Sequence, residues 1–118
     1  MENKTLVNYK GIDYELAFNL NVMEVIQEEY GTIEEWANRT DATTKEADIK
    51  AVIFGLTEMV NEGIEIYNED HENDKDFVPR QHLTNKQVGC MVSNIGLAEI
   101  TKTINEKVIE SAKSDEKN

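Results

Sequence analysis

Two short runs near the start of the chain alternate apolar and polar residues, on either side of Lys10 and Gly11. A two-residue loop that contains glycine is typical of a β-hairpin with a primed turn. Pairing about this loop places six side chains on one face, namely Thr5, Val7, Tyr9, Ile12, Tyr14 and Leu16. The opposite face is mostly polar, so the pattern predicts a hairpin whose apolar face packs onto helices.

After the hairpin the apolar residues follow a helical period. Asn21 with Glu24 predicts a capping box at the start of a first helix, flanked by Leu20 and Val25 as a hydrophobic staple. Gly31 predicts the end of this helix. The apolar stripe of the helix consists of Val22, Val25, Ile26 and Tyr30.

A second capping pattern follows directly. Thr32 with Glu35 predicts a short helix that carries Ile33 and Trp36. Residues 40–44 are small and polar, which predicts a loop.

A longer central helix is predicted to begin near Lys45. Gly63 is either its end or an interior position, and the acidic residues 68–79 are predicted to form a loop. The predicted buried face of this helix consists of Val52, Ile53, Leu56, Met59 and Val60.

Two further helices are predicted in the last third of the chain. Thr84 with Gln87 forms a capping box, with Leu83 and Val88 as its staple, and Gly96 predicts a break. The apolar stripes before and after the break are Val88, Met91, Val92 and Ile95, then Leu97, Ile100, Ile104 and Val108.

These elements together predict an α+β fold that is predominantly α-helical. The N-terminal hairpin packs on about four to five helices in a single domain, residues 1–112. Residues 113–118 are predicted to form a flexible charged tail.

Composition limits the classes of function. The 118 residues include 12 Lys and Arg against 24 Asp and Glu, a formal net charge of −12. Such a charge repels phosphate backbones, which argues against nucleic-acid binding and favours a basic partner.

Other sequence features bear on the cellular location of the protein. The longest apolar run, Ala51 to Phe54, is far below the ~20 residues that span a membrane. Met1 to Lys4 show no signal-peptide pattern, and the single cysteine, Cys90, excludes an internal disulfide. We therefore expect a cytoplasmic protein without a membrane partner.

Two candidate metal motifs are incomplete. His71-Glu72 begins like the zinc-protease motif HExxH, but Lys75 stands where the second histidine is required. Acidic residues alternate from Asp70 to Asp76 as in a calcium loop, whose sixth position requires glycine and here is again Lys75. Weak cation binding and a solvated loop both remain open for this segment.

Cys90 is the one candidate nucleophile. It follows Val88 and precedes Met91 in an apolar helix, so we expect it on the buried side without a catalytic role. No catalytic, cofactor-binding or metal-binding residue is therefore predicted, and we expect a protein that is not an enzyme.

The net charge is concentrated in residues 58–76, which contain one basic and eight acidic residues. Glutamates spaced 4, 3 and 4 residues apart would form one stripe on a continuous helix. They are Glu58, Glu62, Glu65 and Glu69. The stripe is either a solvated face or a docking surface for a basic partner.

Three stretches carry a family resemblance. The first is the hairpin with residues 18–31, where a helix ends in a Glu-rich turn closed by glycine; the second is the apolar helical segment 48–56. The third is residues 83–100, with a Leu-Thr cap, a Val-Gly pair and a later Leu-Ala-Glu-Ile; Lys86-Gln87 replaces the family's usual acidic pair. Through these stretches, which span nearly the whole chain, the sequence resembles the tail assembly chaperones of long-tailed (siphovirus-type) phages and prophages.

The resemblance implies a non-enzymatic protein of the bacterial host cytoplasm. Family members bind the tape-measure protein, and sometimes tail tube subunits, before the tail assembles. They keep that helical chain in solution and leave before the tail is complete, and a longer form is often made by ribosomal frameshifting. Self-association is left open.

For this chain we predict that a helical partner lies in an apolar groove flanked by acidic residues. The central helix and the last two helices would build this groove because they hold most of the periodic apolar residues. The predicted contact residues are Glu58, Glu62, Glu65, Glu69, Val52, Leu56 and Met59.

Two other classes stay open. An acidic inhibitor that mimics DNA would need its carboxylates in paired rows, and the charge in residues 58–76 is the feature that favours it. A small enzyme would need a nucleophile with a base, and the sequence contains no recognisable set.

Overall fold

The computed structural model describes residues 5–43 and 45–116, the last four by their backbone alone. In this part of the chain an antiparallel hairpin is followed by five helices, which confirms the predicted α+β, predominantly helical fold. The elements are β1 (Leu6–Tyr9), β2 (Ile12–Glu15), α1 (Leu20–Tyr30), α2 (Ile33–Thr40), α3 (Ile49–His71), α4 (Asn85–Ile95) and α5 (Leu97–Glu116).

The hairpin has the predicted turn and register. Lys10 and Gly11 both have positive φ, as a type I′ turn requires. Val7 pairs with Tyr14 and Tyr9 pairs with Ile12. Four residues of the predicted face are buried, namely Val7, Tyr9, Tyr14 and Leu16, whereas Thr5 is half-buried and Ile12 is exposed at 39%.

Helix α1 begins before the predicted cap. Asn19, not Asn21, is the N-cap, and its side chain accepts a hydrogen bond from the Val22 backbone N–H. The predicted staple residue Leu20 is consequently exposed, at 79%. The Asn21 side chain instead donates to the Glu62 carboxylate on α3, so a contact distant in sequence overrode a favourable local pattern. The predicted end at Gly31 is confirmed.

Helix α2 has the predicted N-cap. The Thr32 side chain accepts from the Glu35 backbone N–H, and Trp36 is fully buried. The helix continues through Thr40, so the predicted loop begins one residue later, at Asp41.

Helix α3 begins later and ends later than predicted. Its N-cap is Asp48, whose side chain accepts from the Ala51 N–H, so the helix does not start near Lys45. It passes through Gly63 and ends at His71, which places the first four residues of the predicted loop 68–79 inside the helix. Glycine at position 63 serves close packing and not termination, because the Glu15 carbonyl oxygen lies where a Cβ would be.

Helices α4 and α5 start at the predicted positions, and α4 also ends where predicted. Thr84 and Gln87 form a complete capping box, and Gly96 ends α4 with a φ of 111°. Helix α5 continues through Glu116, so residues 113–116 of the predicted tail have helical backbone, and residues 117–118 lie outside the described part. Residues 72–84 form the α3–α4 connection.

Replacing Thr84 with alanine should lower the free energy of unfolding by ~1 kcal/mol, because the Gln87 N–H at the start of α4 loses its side-chain acceptor. Urea denaturation at unchanged slope would measure this loss. Ser93→Ala, on the exposed face of the same helix, is the matched control and should change little. An unaltered midpoint for Thr84→Ala would show that the box contributes nothing.

Helix α3 is the centre of the fold. It packs against the hairpin strand β2 and against α1, α2 and α4. Its fully buried side chains are Ala51, Val52, Leu56, Met59 and Val60. Among residues 5–43 and 45–116, no helix combines the length and apolar character needed to cross a bilayer.

Candidate partner-binding surface

The four predicted glutamates lie on one uninterrupted helix, since α3 does not break at Gly63. Glu58 and Glu62 are half-buried, whereas Glu65 and Glu69 are exposed. At a rise of about 1.5 Å per residue the stripe extends along roughly three turns. The structure therefore brings the predicted acidic residues together as one row.

The half-buried Glu62 is held by two asparagines from the start of α1. The side-chain amides of Asn19 and Asn21 donate to its Oε2 atom, at 2.6 and 2.8 Å. The two amide donors share one carboxylate oxygen and thereby fix the position of the Glu62 side chain.

The α3–α4 connection forms the other side of the stripe. Asn61 binds the backbone of Leu83 twice, because its amide donates to the Leu83 carbonyl (2.9 Å) and its Oδ1 accepts the Leu83 N–H (2.8 Å). One turn further along α3, Glu65 contacts the Nε2 atom of His82. These contacts fix the connection along α3.

Between α1 and this connection lies a shallow groove of about 160 Å³, which we call the acidic groove. Its lining residues are Asn21, Val22, Val25, Glu58, Asn61, Glu62, Glu65 and His82. The arrangement is suited to a lysine or arginine side chain, because three carboxylates surround a small apolar area on which the side-chain methylenes could lie.

The predicted apolar contact residues lie elsewhere. Val52, Leu56 and Met59 are each 0% exposed and belong to the core cluster with buried residues of α4 and α5. The apolar groove predicted between α3 and the last two helices is thus filled by the protein's own side chains. In this conformation those three residues stabilise the fold and offer no surface.

Cys90 also lies away from its predicted place. It is exposed, not buried. The reason is helical phase: Val88, Met91 and Val92 form the buried side of α4, and Cys90 lies about 200° around the helix from Val88. The predicted inner position of Cys90 was therefore wrong.

The two histidines are each engaged by a carboxylate. His82 contacts Glu65, and the Nδ1 atom of His71 lies 2.7 Å from the Asp74 carboxylate. In the described part of the chain no three His, Cys, Asp or Glu side chains converge in a way that could hold a metal ion.

Sequence reasoning missed the residues that position the groove. Asn21 was predicted only as a helix cap, and Asn19 and Asn61 were not singled out, because an asparagine that binds a distant carboxylate or backbone has no local signature. The helical spacing of the polar residues 61, 65 and 68 on α3 could have indicated a polar contact face. The residues that bind them could not be identified without the fold.

Comparisons of the chain with protein-family models, with curated proteins and with solved structures gave no match.

Proposed function

We propose that this protein is a non-enzymatic tail assembly chaperone that binds the tape-measure protein of a long-tailed phage in the cytoplasm of the bacterial host. The proposal rests on the resemblance of residues 18–31, 48–56 and 83–100 to that family. Tail tube subunits are a second expected partner.

The structural observation that carries the proposal is the continuous acidic face of α3. Four carboxylates along roughly three helical turns match a partner that is itself a long helix with basic residues on one side. Because Glu62 is held in place by Asn19 and Asn21, part of this surface is organised before a partner arrives.

The net charge of −12 supports the same role. A tape-measure chain exposes apolar helical surface before assembly, and a complex that carries a large net negative charge resists aggregation. The bound protein would keep its partner in solution through repulsion between complexes.

Co-expression tests the proposal directly. The tape-measure protein encoded beside this chain should be recovered in the soluble fraction in the presence of the protein, and the complex should survive gel filtration. The tape-measure gene expressed alone is the control. If its soluble yield is the same with and without this protein, and no complex forms, the chaperone proposal fails.

The alternative from the sequence, an acidic DNA mimic, predicts a different result in parallel experiments. Such a protein would bind DNA-acting enzymes in competition with duplex DNA and would leave the tape-measure protein insoluble. That pair of outcomes would favour the mimic.

Changing Glu58, Glu62, Glu65 and Glu69 together to glutamine should slow association with the tape-measure protein about tenfold at low salt. Dissociation should change less, because exposed charges act mainly on the encounter and are screened over about 8 Å at physiological salt. Stopped-flow or surface-binding kinetics at two salt concentrations would separate the two rates.

The matched control removes the same number of charges elsewhere. Glu34, Glu46, Glu99 and Glu106 are exposed and lie outside α3, so their change to glutamine should reduce the association rate much less. Equal slowing by both quadruple variants would mean that net charge alone, and not the α3 stripe, guides the partner.

A further inference from the structure

A second cleft lies beside the acidic stripe, between the hairpin and the C-terminal half of α3. Two large apolar side chains on its surface are exposed: Leu6 of β1 at 50% and Ile66 of α3 at 39%. The cleft encloses about 270 Å³. We call it the anchor cleft.

The walls of the anchor cleft are held in place by contacts within the protein. The Arg80 guanidinium lies 3.8 Å from the centre of the Tyr67 ring and donates to the Asp13 carbonyl at 3.3 Å. The backbone of Arg80 is bound on both sides by the Asn68 side chain, at 2.9 Å each. A site whose walls are already fixed loses little conformational entropy when it is occupied.

The rim of the cleft is acidic. Asp13, Glu15 and Asp70 line it, against the single arginine that is already engaged by Tyr67 and Asp13. On α3, Ile66 is also four residues from Glu62 and three from Glu69, so the apolar side chain and the stripe are neighbours on one helix surface. Ile66 therefore lies on α3 between the rest of the cleft and the stripe.

This charge pattern selects the occupant. A basic partner meets complementary charge on the rim, whereas a second copy of this chain would place acidic rim against acidic rim about a two-fold axis. At a net charge of −12 per chain, pairing of two copies at this position is unfavourable.

We propose that the anchor cleft binds an apolar side chain from a basic amphipathic helix of the partner, between Leu6 and Ile66, while lysines or arginines on the same helix face the rim and the stripe. This rests on the proposed chaperone function and assigns the apolar part of its interface to the hairpin and α3. The anchor cleft takes the place of the predicted contact residues Val52, Leu56 and Met59, which are buried in the core.

The test uses a 21-residue labelled peptide of leucine and lysine at helical spacing, with a leucine–glutamate peptide of the same pattern as the charge control. Fluorescence anisotropy at physiological salt measures binding to the full chain. The wild-type protein should bind the lysine peptide and not the glutamate peptide.

The double variant Leu6→Ala and Ile66→Ala should weaken binding of the lysine peptide by tenfold or more. Both side chains are exposed, so the fold should remain intact, which the circular dichroism spectrum and the denaturation midpoint would verify. Leu20→Ala with Ile49→Ala is the matched control, since it truncates one leucine and one isoleucine at 79% and 58% exposure elsewhere, and it should bind as the wild type does.

Wild-type affinity in the Leu6 and Ile66 double variant would overturn the anchor cleft. So would equal binding of the two peptides, or a wild-type dimer in sedimentation that this variant loses. The chaperone function is judged separately, by the soluble yield of the tape-measure protein. If the double variant solubilises it as well as the wild type does, the chaperone proposal stands and the anchor cleft is refuted. If the peptide binds at the cleft but the wild-type protein does not solubilise the tape-measure protein, the cleft stands and the chaperone proposal fails.

Discussion

Gly55→Ala should destabilise this protein by about 2 kcal/mol, although alanine normally stabilises a helix interior by ~1 kcal/mol relative to glycine. A Cβ at position 55 would fall on the indole ring of Trp36. That ring cannot move aside. It is 0% exposed, its Nε1–H donates to the Ala51 carbonyl at 3.0 Å, and it stacks on Phe18 with ring centres 5.9 Å apart.

A double-mutant cycle shows whether the indole is the cause. Trp36→Leu alone should cost roughly 3 kcal/mol, because it leaves a cavity and removes a stacked ring. In that background Gly55→Ala should be neutral or stabilising by up to ~1 kcal/mol, since the atoms it would strike are gone. The free energy of unfolding of all four proteins, from urea titrations at constant slope, gives the coupling.

Additive effects within ~0.5 kcal/mol would contradict this account. They would mean that the cost at position 55 arises in the backbone of α3 and not from contact with Trp36.

Gly63→Ala should cost about 2–3 kcal/mol for a related reason with a different neighbour. Here a Cβ would strike the carbonyl oxygen of Glu15, which is backbone and cannot change rotamer. Just beyond it the Ala17 N–H donates to the Met59 carbonyl of α3 at 3.1 Å, so the hairpin is attached directly to the helix backbone at this point. The added methyl group would push the hairpin off α3.

Gly89→Ala in α4 is the matched control. A Cβ there would lie 3.6 Å from the Ile53 Cδ1 atom, an ordinary contact. This substitution should therefore stabilise the protein by up to ~1 kcal/mol. If the Gly63→Ala variant were as stable in urea as Gly89→Ala, the hairpin would tolerate displacement. The close approach of the Glu15 carbonyl to position 63 would then contribute nothing to the free energy of unfolding.

Local patterns were sufficient where the partners of a residue lie within a few positions of it. The hairpin register follows from a two-residue turn and strict alternation, and it was predicted correctly at every observed pair. The capping box at Thr84 was also predicted, because both of its hydrogen bonds join residues three positions apart.

Predicted helix boundaries were wrong where a residue at the boundary contacts a group that is distant in sequence. Asn21 had a cap pattern as good as that of Thr84, but the Glu62 carboxylate, 41 residues away, binds its side chain. Gly63 was a candidate for the end of α3, yet the helix continues to His71, and the missing Cβ at position 63 instead leaves room for the Glu15 carbonyl oxygen of the hairpin. A single sequence contains no signal that separates a terminating glycine from a packing glycine.

The apolar periodicity of α3 has the same ambiguity at the level of function. Val52, Leu56 and Met59 lie on one face by spacing alone, and that spacing is identical for a helix that packs in its own core and for one that binds a partner. Burial at 0% exposure decided between these alternatives. The proposed anchor cleft has Leu6 and Ile66 in its lining, two residues 60 positions apart that no periodicity connects.

The sequence by itself determined the hairpin turn, the order of the elements, the spacing of the four glutamates and the large negative charge, since each depends on residue type and short-range spacing. That these glutamates form one row followed only from the continuation of α3 through Gly63. Only the tertiary structure decided which apolar face is core, where the groove and the cleft lie, and which asparagines hold them. Those features depend on which surfaces meet when distant segments pack, and the packing is set by shape and hydrogen-bond partners across the whole fold.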